Sequence, residues 1–413
     1  MKISVLTLGC RVNQSESTII EGSLKKFGGC SIVGLSEHPD YCIINTCTVT
    51  AKSDYQSRQL IRRAVRSGAK VIATGCYSQL RPDEIRRIGG VVDIVDNNKK
   101  FNIIKKLSNK TASITFSYSN KSRPYLKVQD GCNLACTYCT VPMARGRSRS
   151  LEISEALKQA EEIEANGYNE IVLTGIHLGS YGHDLKPKVN LSDLLKTLLK
   201  KTNIPRIRLS SIEIRKVDDE LIELLQEKRI CDHIHLPLQS GDNTILRLMN
   251  RMYTSEEYLS TIESITKRVP DIAIGTDVIV GFPCEGDKEF LNTKRLLDSL
   301  PIAYMHIFPF SPRPKTLASK MCTQNAPSIK RERLNELKSL NLKKKMAYMS
   351  SQINKILDVI IEEQCTDNFS IGTSSNYLKV KVSTNGHTKG DCVCVRVSGI
   401  EGDMVKADPI EKL

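Results

Sequence analysis

Tryptophan is missing from the 413-residue chain and aromatic residues make up only 5% of it, while charged residues reach 26%, a balance that describes a globular protein. No run of about 18 apolar residues occurs, which excludes a membrane-spanning helix. The apolar start MKISVLTLGC is too short for a secretory leader and has no small-residue cleavage site, so it reads as a first strand and the protein is expected to be cytoplasmic, with no membrane partner. Acidic residues are in deficit. Sixty Lys and Arg against 46 Asp and Glu leave a formal charge of +14, the footprint expected of a polyanion-binding protein, although basic proteins without that role also exist.

Cysteine is plentiful, at 14 residues. Cys132, Cys136 and Cys139 fall in DGCNLACTYCTVP, a C-x3-C-x2-C cluster. Three thiolates at this spacing can hold three irons of a [4Fe-4S] cube and leave the fourth open to a small molecule. Zinc is the rival reading, but no fourth Cys or His lies at matching spacing, and the nearest downstream His is His177. Cys10, Cys47 and Cys76 form a second set, in TLGCRVNQ, INTCTVT and ATGCYSQ. Each follows a predicted buried strand, so in a parallel sheet all three are expected on the carboxyl edge, where ligands bind. The other eight cysteines read as core fillers or incidental thiols.

Residues 1–105 alternate strand patterns (2–8, 41–46, 70–75, 91–96) with helical ones (15–27, 51–67, 82–88), which predicts a doubly wound parallel sheet. The polar stretch LSNKTASITFSYSNKSRP reads as a connection. From 123 to 349 the alternation restarts, with strands near 125–129, 169–175, 206–210, 232–236, 272–280 and 302–308. Six strand-helix units suit an open (β/α)6 barrel with its site at the strand carboxyl ends. The basic segment 330–355 is expected to be one long helix. Residues 350–413 alternate at period two around turns at SSN, NGH and EGD, which predicts a small antiparallel β-barrel, a possible basic face for nucleic acid or a packing cap.

The triplet, with Tyr138 before its last cysteine, resembles the radical S-adenosylmethionine (SAM) superfamily. There SAM chelates the open iron and is cleaved reductively to a 5'-deoxyadenosyl radical. The LGC, NTC and GC cysteines before such a barrel, and a β-barrel after it, resemble the methylthiotransferase family over nearly the whole chain. The resemblance implies a second [4Fe-4S] cluster on Cys10, Cys47 and Cys76 that handles sulfur, a radical cluster on Cys132, Cys136 and Cys139, and an RNA-binding TRAM module at 350–413. It further implies a sulfur source and an electron donor such as flavodoxin or ferredoxin. SAM contacts carried over by resemblance are Tyr138, Gly175, Ser211, Glu213 and Gln239.

GCRVNQSES, LTGIHLGSYG, RLSSIEI and HIFPFSPRP are similar to the branch that methylthiolates threonylcarbamoyladenosine beside the tRNA anticodon. The branches acting on isopentenyladenosine in tRNA or on an aspartate of a ribosomal protein are the enzyme alternatives, and a non-catalytic metal-stabilised RNA-binding protein is the alternative of another class. GFPCEG at 281–286 departs from the family's GFPGET by placing Cys284 at a glycine position. His233 and His235 are expected on a barrel strand, where one of them could face the lumen but a hydrogen-bonded core histidine is the favoured reading. Arg145, Arg147 and Arg149 are expected to meet the SAM carboxylate, tRNA phosphate or solvent.

Overall fold

The computed structural model describes residues 1–26, 29–108, 121–366, 369–383 and 386–410. The amino-terminal layer is a parallel sheet of β1 (Lys2–Thr7), β2 (Ser31–Ile32), β3 (Tyr41–Thr46), β4 (Lys70–Gly75) and β5 (Val91–Ile94), ordered β2-β1-β3-β4-β5. Its helices are α1 (Arg11–Lys26), α2 (Ala51–Arg66), α3 (Cys76–Leu80), α4 (Pro82–Arg86) and α5 (Asn102–Ser108). Alternate residues of one strand feed opposite cores: Cys42 and Ile44 pack with Ile61 of α2, whereas Ile43 packs with Ile20 and Leu24 of α1 and Ile103 of α5. Both faces are covered, which is why the central strands read as continuous apolar runs. Most of the predicted polar connection lies outside the described residues.

The chain then forms β6 (Tyr125–Lys127), a short antiparallel pair β7 (Gln129–Asp130) and β8 (Arg149–Ser150), and β9 (Glu170–Thr174), β10 (Arg206–Leu209), β11 (His233–His235), β12 (Ala273–Val280) and β13 (Tyr304–Pro309). The six predicted barrel strands run parallel in two groups, β6-β9-β10 and β11-β12-β13. A parallel bridge from Ile207 to Ile230 and the bond from Cys231 N to Ile207 O (2.9 Å) join the groups. The intervening helices are α6 (Val141–Arg145), α7 (Ile153–Ala165), α8 (Leu191–Lys201), α9 (Asp219–Leu224), α10 (Asn243–Leu248), α11 (Ser255–Arg268) and α12 (Asp287–Ser299). Ile171, Leu173, Ile207, Leu209, Ile234 and Ile274 form the shared core with these helices. The opposite strand face carries Glu170, Arg206, Arg208, His233, His235 and Tyr304, all buried or nearly so, giving a polar interior.

α13 (Pro327–Ser351) leads to β14 (Ile356–Thr366), β15 (Phe369–Ser374), β16 (Lys379–Ser383), β17 (Cys392–Glu401) and β18 (Met404–Pro409), a closed barrel ordered β14-β15-β16-β18-β17. Four ladders are antiparallel, and β16–β18, which closes the barrel, is parallel. This barrel seats against the amino ends of β9 and β10. Arg206 donates to Asp358 O (2.9 Å), Arg208 donates to Ser374 O (2.8 Å) and Ser375 O (2.9 Å), and both hold Glu170. Within the basic stretch of α13, Lys344 donates to Leu300 O (2.6 Å), exposed Lys343 lies 3.7 Å from Asp298, and Lys345 lies 3.6 Å from Asp403.

Candidate active site

Cys132, Cys136 and Cys139 lie in the loop between β7 and α6, at the carboxyl end of the barrel strands. Gly131, before Cys132, has φ +72°, and a side chain there would collide with the Arg147 carbonyl, so the loop can close on itself only at glycine. The thiols line a cavity of about 640 Å³ together with Arg147, Lys315 and Leu317. Each sulfur accepts a hydrogen bond: Leu134 N–H to Cys132 Sγ (3.4 Å), Val141 N–H to Cys139 Sγ (3.4 Å), and Arg251 Nη1 to Cys136 Sγ (3.5 Å). Burial pushes the Cys139 thiol up to about 12 and raises Cys132, so a cationic occupant is what would hold these sulfurs as thiolates. The donor set of three sulfurs, each already supplied with an N–H, fits a [4Fe-4S] cluster with one open iron.

A smaller cavity of about 260 Å³ adjoins this loop, lined by Leu134, His177, Glu213, Lys216, Arg251 and Met252. Arg251 lies 3.6 Å from Glu213, so one guanidinium ties this cavity to the cysteine loop. Burial, then Lys216 and Arg251, depress His177 to about 4, and its buried Nε2 has no hydrogen-bond partner. Gly175, Ser211 and Gln239 follow β9, β10 and β11 on the same rim. Gln239 sits at φ +68°, bridged to β12 through Asp277 O (2.8 Å). Tyr138 lies edge-on to Phe282 at 6.4 Å, packed against an apolar cluster that includes Phe310. Arg251 escaped the sequence reading, since it stands in no motif, and His177, although inside LTGIHLGSYG, was weighed there only as a zinc ligand.

The second set converges as the strand placement predicts. Cys47 follows β3 directly, Cys76 opens α3 after β4, and Cys10 lies three residues beyond β1. Gly9 (φ +101°) presses so closely on Cys47 that an added Cβ would come within 2.8 Å of its Cβ and 2.9 Å of its Sγ. Electrostatic interactions link all three thiols in pairs. Among the described residues, the group whose metal-ligating atoms all fall within 4.8 Å of one another is His235, Asp277 and His306, so neither cysteine triplet is drawn in that tightly.

Arg145 departs from expectation. It is buried, and donates to Glu16 Oε1 (3.0 Å), Asp130 Oδ1 (2.9 Å) and Asn13. Lys100 and Lys127 also pair with Glu16, so two carboxylates face three cations beside the second thiol set. Arg145 Nε and Asn97 Oδ1 are buried without partners there. A buried surplus of positive charge calls for an anion, and three thiolates around a cluster supply one. Arg149 pairs with Asp130, while Arg147 lines the large cavity.

His233 and His235, two residues apart, share the inner strand face rather than dividing between faces. Both contact the Tyr304 hydroxyl (2.8 and 3.1 Å), and His235 Nε2 lies 3.0 Å from Asp277, which His306 also meets at 3.2 Å. Arg313, from the HIFPFSPRP segment, reaches Thr48 (2.9 Å) and Asp54 of the first layer, so the two cysteine-bearing edges face one another across a tied interface.

Comparison with known proteins agrees with this architecture. Residues 126–297 match the Radical SAM superfamily and residues 2–96 match a family described as Uncharacterized protein family UPF0004. Threonylcarbamoyladenosine tRNA methylthiotransferase MtaB of Aquifex aeolicus is 40% identical over 88% of this chain and 93% of its own length. The Bacillus subtilis protein of the same name is 37% identical over 95% and 92%. A tRNA-2-methylthio-N(6)-dimethylallyladenosine synthase of Fervidobacterium nodosum is 30% identical over 97% of both chains. Among solved structures, the radical SAM methyltransferase TsrM of Kitasatospora setae shares the fold, with a TM-score of 0.58 over 77% of each chain at 14% identity.

Proposed function

Because the chain belongs to the radical SAM methylthiotransferase family, in the group named for threonylcarbamoyladenosine in tRNA, we propose that it converts N6-threonylcarbamoyladenosine at position 37 of tRNA to its 2-methylthio derivative. The observation that carries this reading is the pairing of two three-cysteine sites on facing edges of one chain. Cys132, Cys136 and Cys139 would hold the [4Fe-4S] cluster that SAM completes, and Cys10, Cys47 and Cys76 would hold a second one on which sulfur is handled. Bound there, the clusters and SAM supply one-electron chemistry, which the adenine C2–H requires because it is too weakly acidic for proton transfer to a side chain.

The chain's own residues prepare that chemistry. Two backbone N–H groups and Arg251 stabilise negative charge on the sulfurs of the barrel site. Glu213, held by Arg251 and itself capping Arg215 N–H (3.1 Å), offers a carboxylate to a cationic amine in the adjoining cavity. His177, kept neutral at physiological pH, adds a polar edge without adding charge. At the mouth, Leu317 (64% exposed) and Met143 (41%) stand beside Arg147 and Lys315. Exposed apolar surface next to cations suits an unstacked base and its phosphate, as in an anticodon loop. The terminal barrel is read as the RNA-binding module, and the setting as cytoplasmic with a flavodoxin- or ferredoxin-like electron donor and a separate sulfur source.

The test is anaerobic turnover of reconstituted protein with SAM, a reductant and sulfide on three substrates. A methylthio product is expected on tRNA bearing threonylcarbamoyladenosine, with little on isopentenyladenosine tRNA or ribosomal protein. Preference for either of the latter would move the chain to another branch of the family.

A further inference from the structure

The helix that follows the barrel cysteines also builds the other site. α6 starts two residues after Cys139 and packs against α3, which begins with Cys76. Its last two residues both reach across. The Ala144 carbonyl accepts from Asn97 Nδ2 (2.8 Å), and the same amide nitrogen lies 3.7 Å from Cys76 Sγ. Arg145 donates to Asn13 Oδ1, the oxygen that Cys10 Sγ approaches at 3.7 Å.

Building on the two-cluster reading, we infer that Arg145 is a positioning residue that couples the two centres, carried by the barrel-site helix but supplying the buried positive charge of the Cys10–Cys47–Cys76 centre. Three features favour a specific role over simple packing. The guanidinium is fixed by three acceptors on two segments, so it cannot swing away. Its Nε is buried and unpartnered. Glu16 and Asp130 are already served by Lys100 and Lys127, so they do not need Arg145 for neutrality. A fixed cation stabilises the more negative, reduced state of an adjacent cluster and so raises its potential.

The experiment is a redox titration, followed by electron paramagnetic resonance, of the reconstituted full-length protein and of its Arg145→Gln and Arg145→Lys variants. Addition of SAM marks the barrel cluster by changing its signal. Arg145→Gln is expected to shift the SAM-insensitive cluster to a more negative potential, with Arg145→Lys nearer wild type and the SAM-responsive cluster unmoved. Loss of iron from the SAM-insensitive centre in Arg145→Gln alone would equally show that the charge is needed. Unchanged potentials in Arg145→Gln, an equal shift of both clusters, or loss of iron in both variants would overturn the inference. If unmutated protein holds only a SAM-responsive cluster, the two-cluster reading itself fails, and the inference with it.

Discussion

Replacing Arg208 by Met should destabilise the enzyme far from either cysteine set. Its side chain is fully buried, as is that of Glu170, which it meets at 2.7 and 3.3 Å. Burial alone would raise the Glu170 carboxyl, but Arg206, Arg208 and Arg123 override it and hold it at about 2 against an ordinary 4.5. At 1.36 kcal/mol per unit that shift corresponds to about 3 kcal/mol of ion-pair stabilisation. Arg208→Met removes one of three partners and also strands the Ser374 and Ser375 carbonyls, so a loss of about 3–5 kcal/mol is expected, as for other broken buried pairs. For a unit of this size that lowers the melting temperature by roughly 6–20 °C. Circular dichroism melts should show it, with Arg208→Lys intermediate because lysine keeps the charge but not the fork. A melting temperature within about 2 °C of wild type would refute the view that this junction holds the terminal barrel in place. Deleting residues 356–413 would strand the same guanidinium groups, so any loss of SAM cleavage on truncation is expected to report instability.

Other expectations follow from the same structure. Reconstituted protein should carry roughly eight irons, and a Cys132/Cys136/Cys139 triple Ala variant about half of them by iron assay; zinc in their place, or no loss, contradicts two clusters. Gly9→Ala should drive Cys10 and Cys47 apart, removing about half the iron while SAM cleavage survives; full iron content in this variant would mean that the Gly9 contact is dispensable. Cys284 is exposed and sits at φ +67°, so Cys284→Gly should raise stability by about 0.5–1 kcal/mol, read as an upward shift of the melting temperature. Glu170 and Asp130 both have depressed carboxyl values of about 2, so their stabilisation is full above roughly pH 4.5 and is lost as pH falls toward 2; acid titration of ellipticity should follow that window, and Glu170→Gln should flatten it.

The barrel triplet was legible from its C-x3-C-x2-C spacing, and the second set because parallel-sheet topology converts sequence into position: a cysteine just past a buried strand must lie on the carboxyl edge. The strand-helix alternation was legible for the same reason that central strands are apolar throughout. What stayed hidden is long-range polar pairing. Arg206 and Arg208 in RIRL alternate with apolar residues, a period-two hint of an inward polar face, but nothing local reveals that their partner is Glu170 or that a terminal barrel supplies the carbonyls. Arg145 in ARGRSRS gives no local sign of its burial, since two of its three acceptors, Asn13 and Glu16, are more than a hundred residues away in α1. β15 (FSIGTS) is hard to read because its small polar residues weaken the alternation, and the parallel β16–β18 closure cannot be read from strands that look alike in either direction. The GC dipeptides at 9–10, 75–76 and 131–132 were an available signal of tight backbone approach beside three of the six thiols.

The central claim is that this chain installs a methylthio group on threonylcarbamoyladenosine and needs both cysteine sets to do so. Nucleoside mass spectrometry of tRNA from a strain lacking the chain tests it most directly, with the wild-type chain, the Cys10/Cys47/Cys76 triple Ala variant and the Cys132/Cys136/Cys139 triple Ala variant each returned to it. 2-Methylthio-threonylcarbamoyladenosine is expected to disappear on deletion, to return with the wild-type chain and to return with neither variant. Undiminished 2-methylthio-threonylcarbamoyladenosine in the deletion strain, or its recovery with either variant, would contradict it.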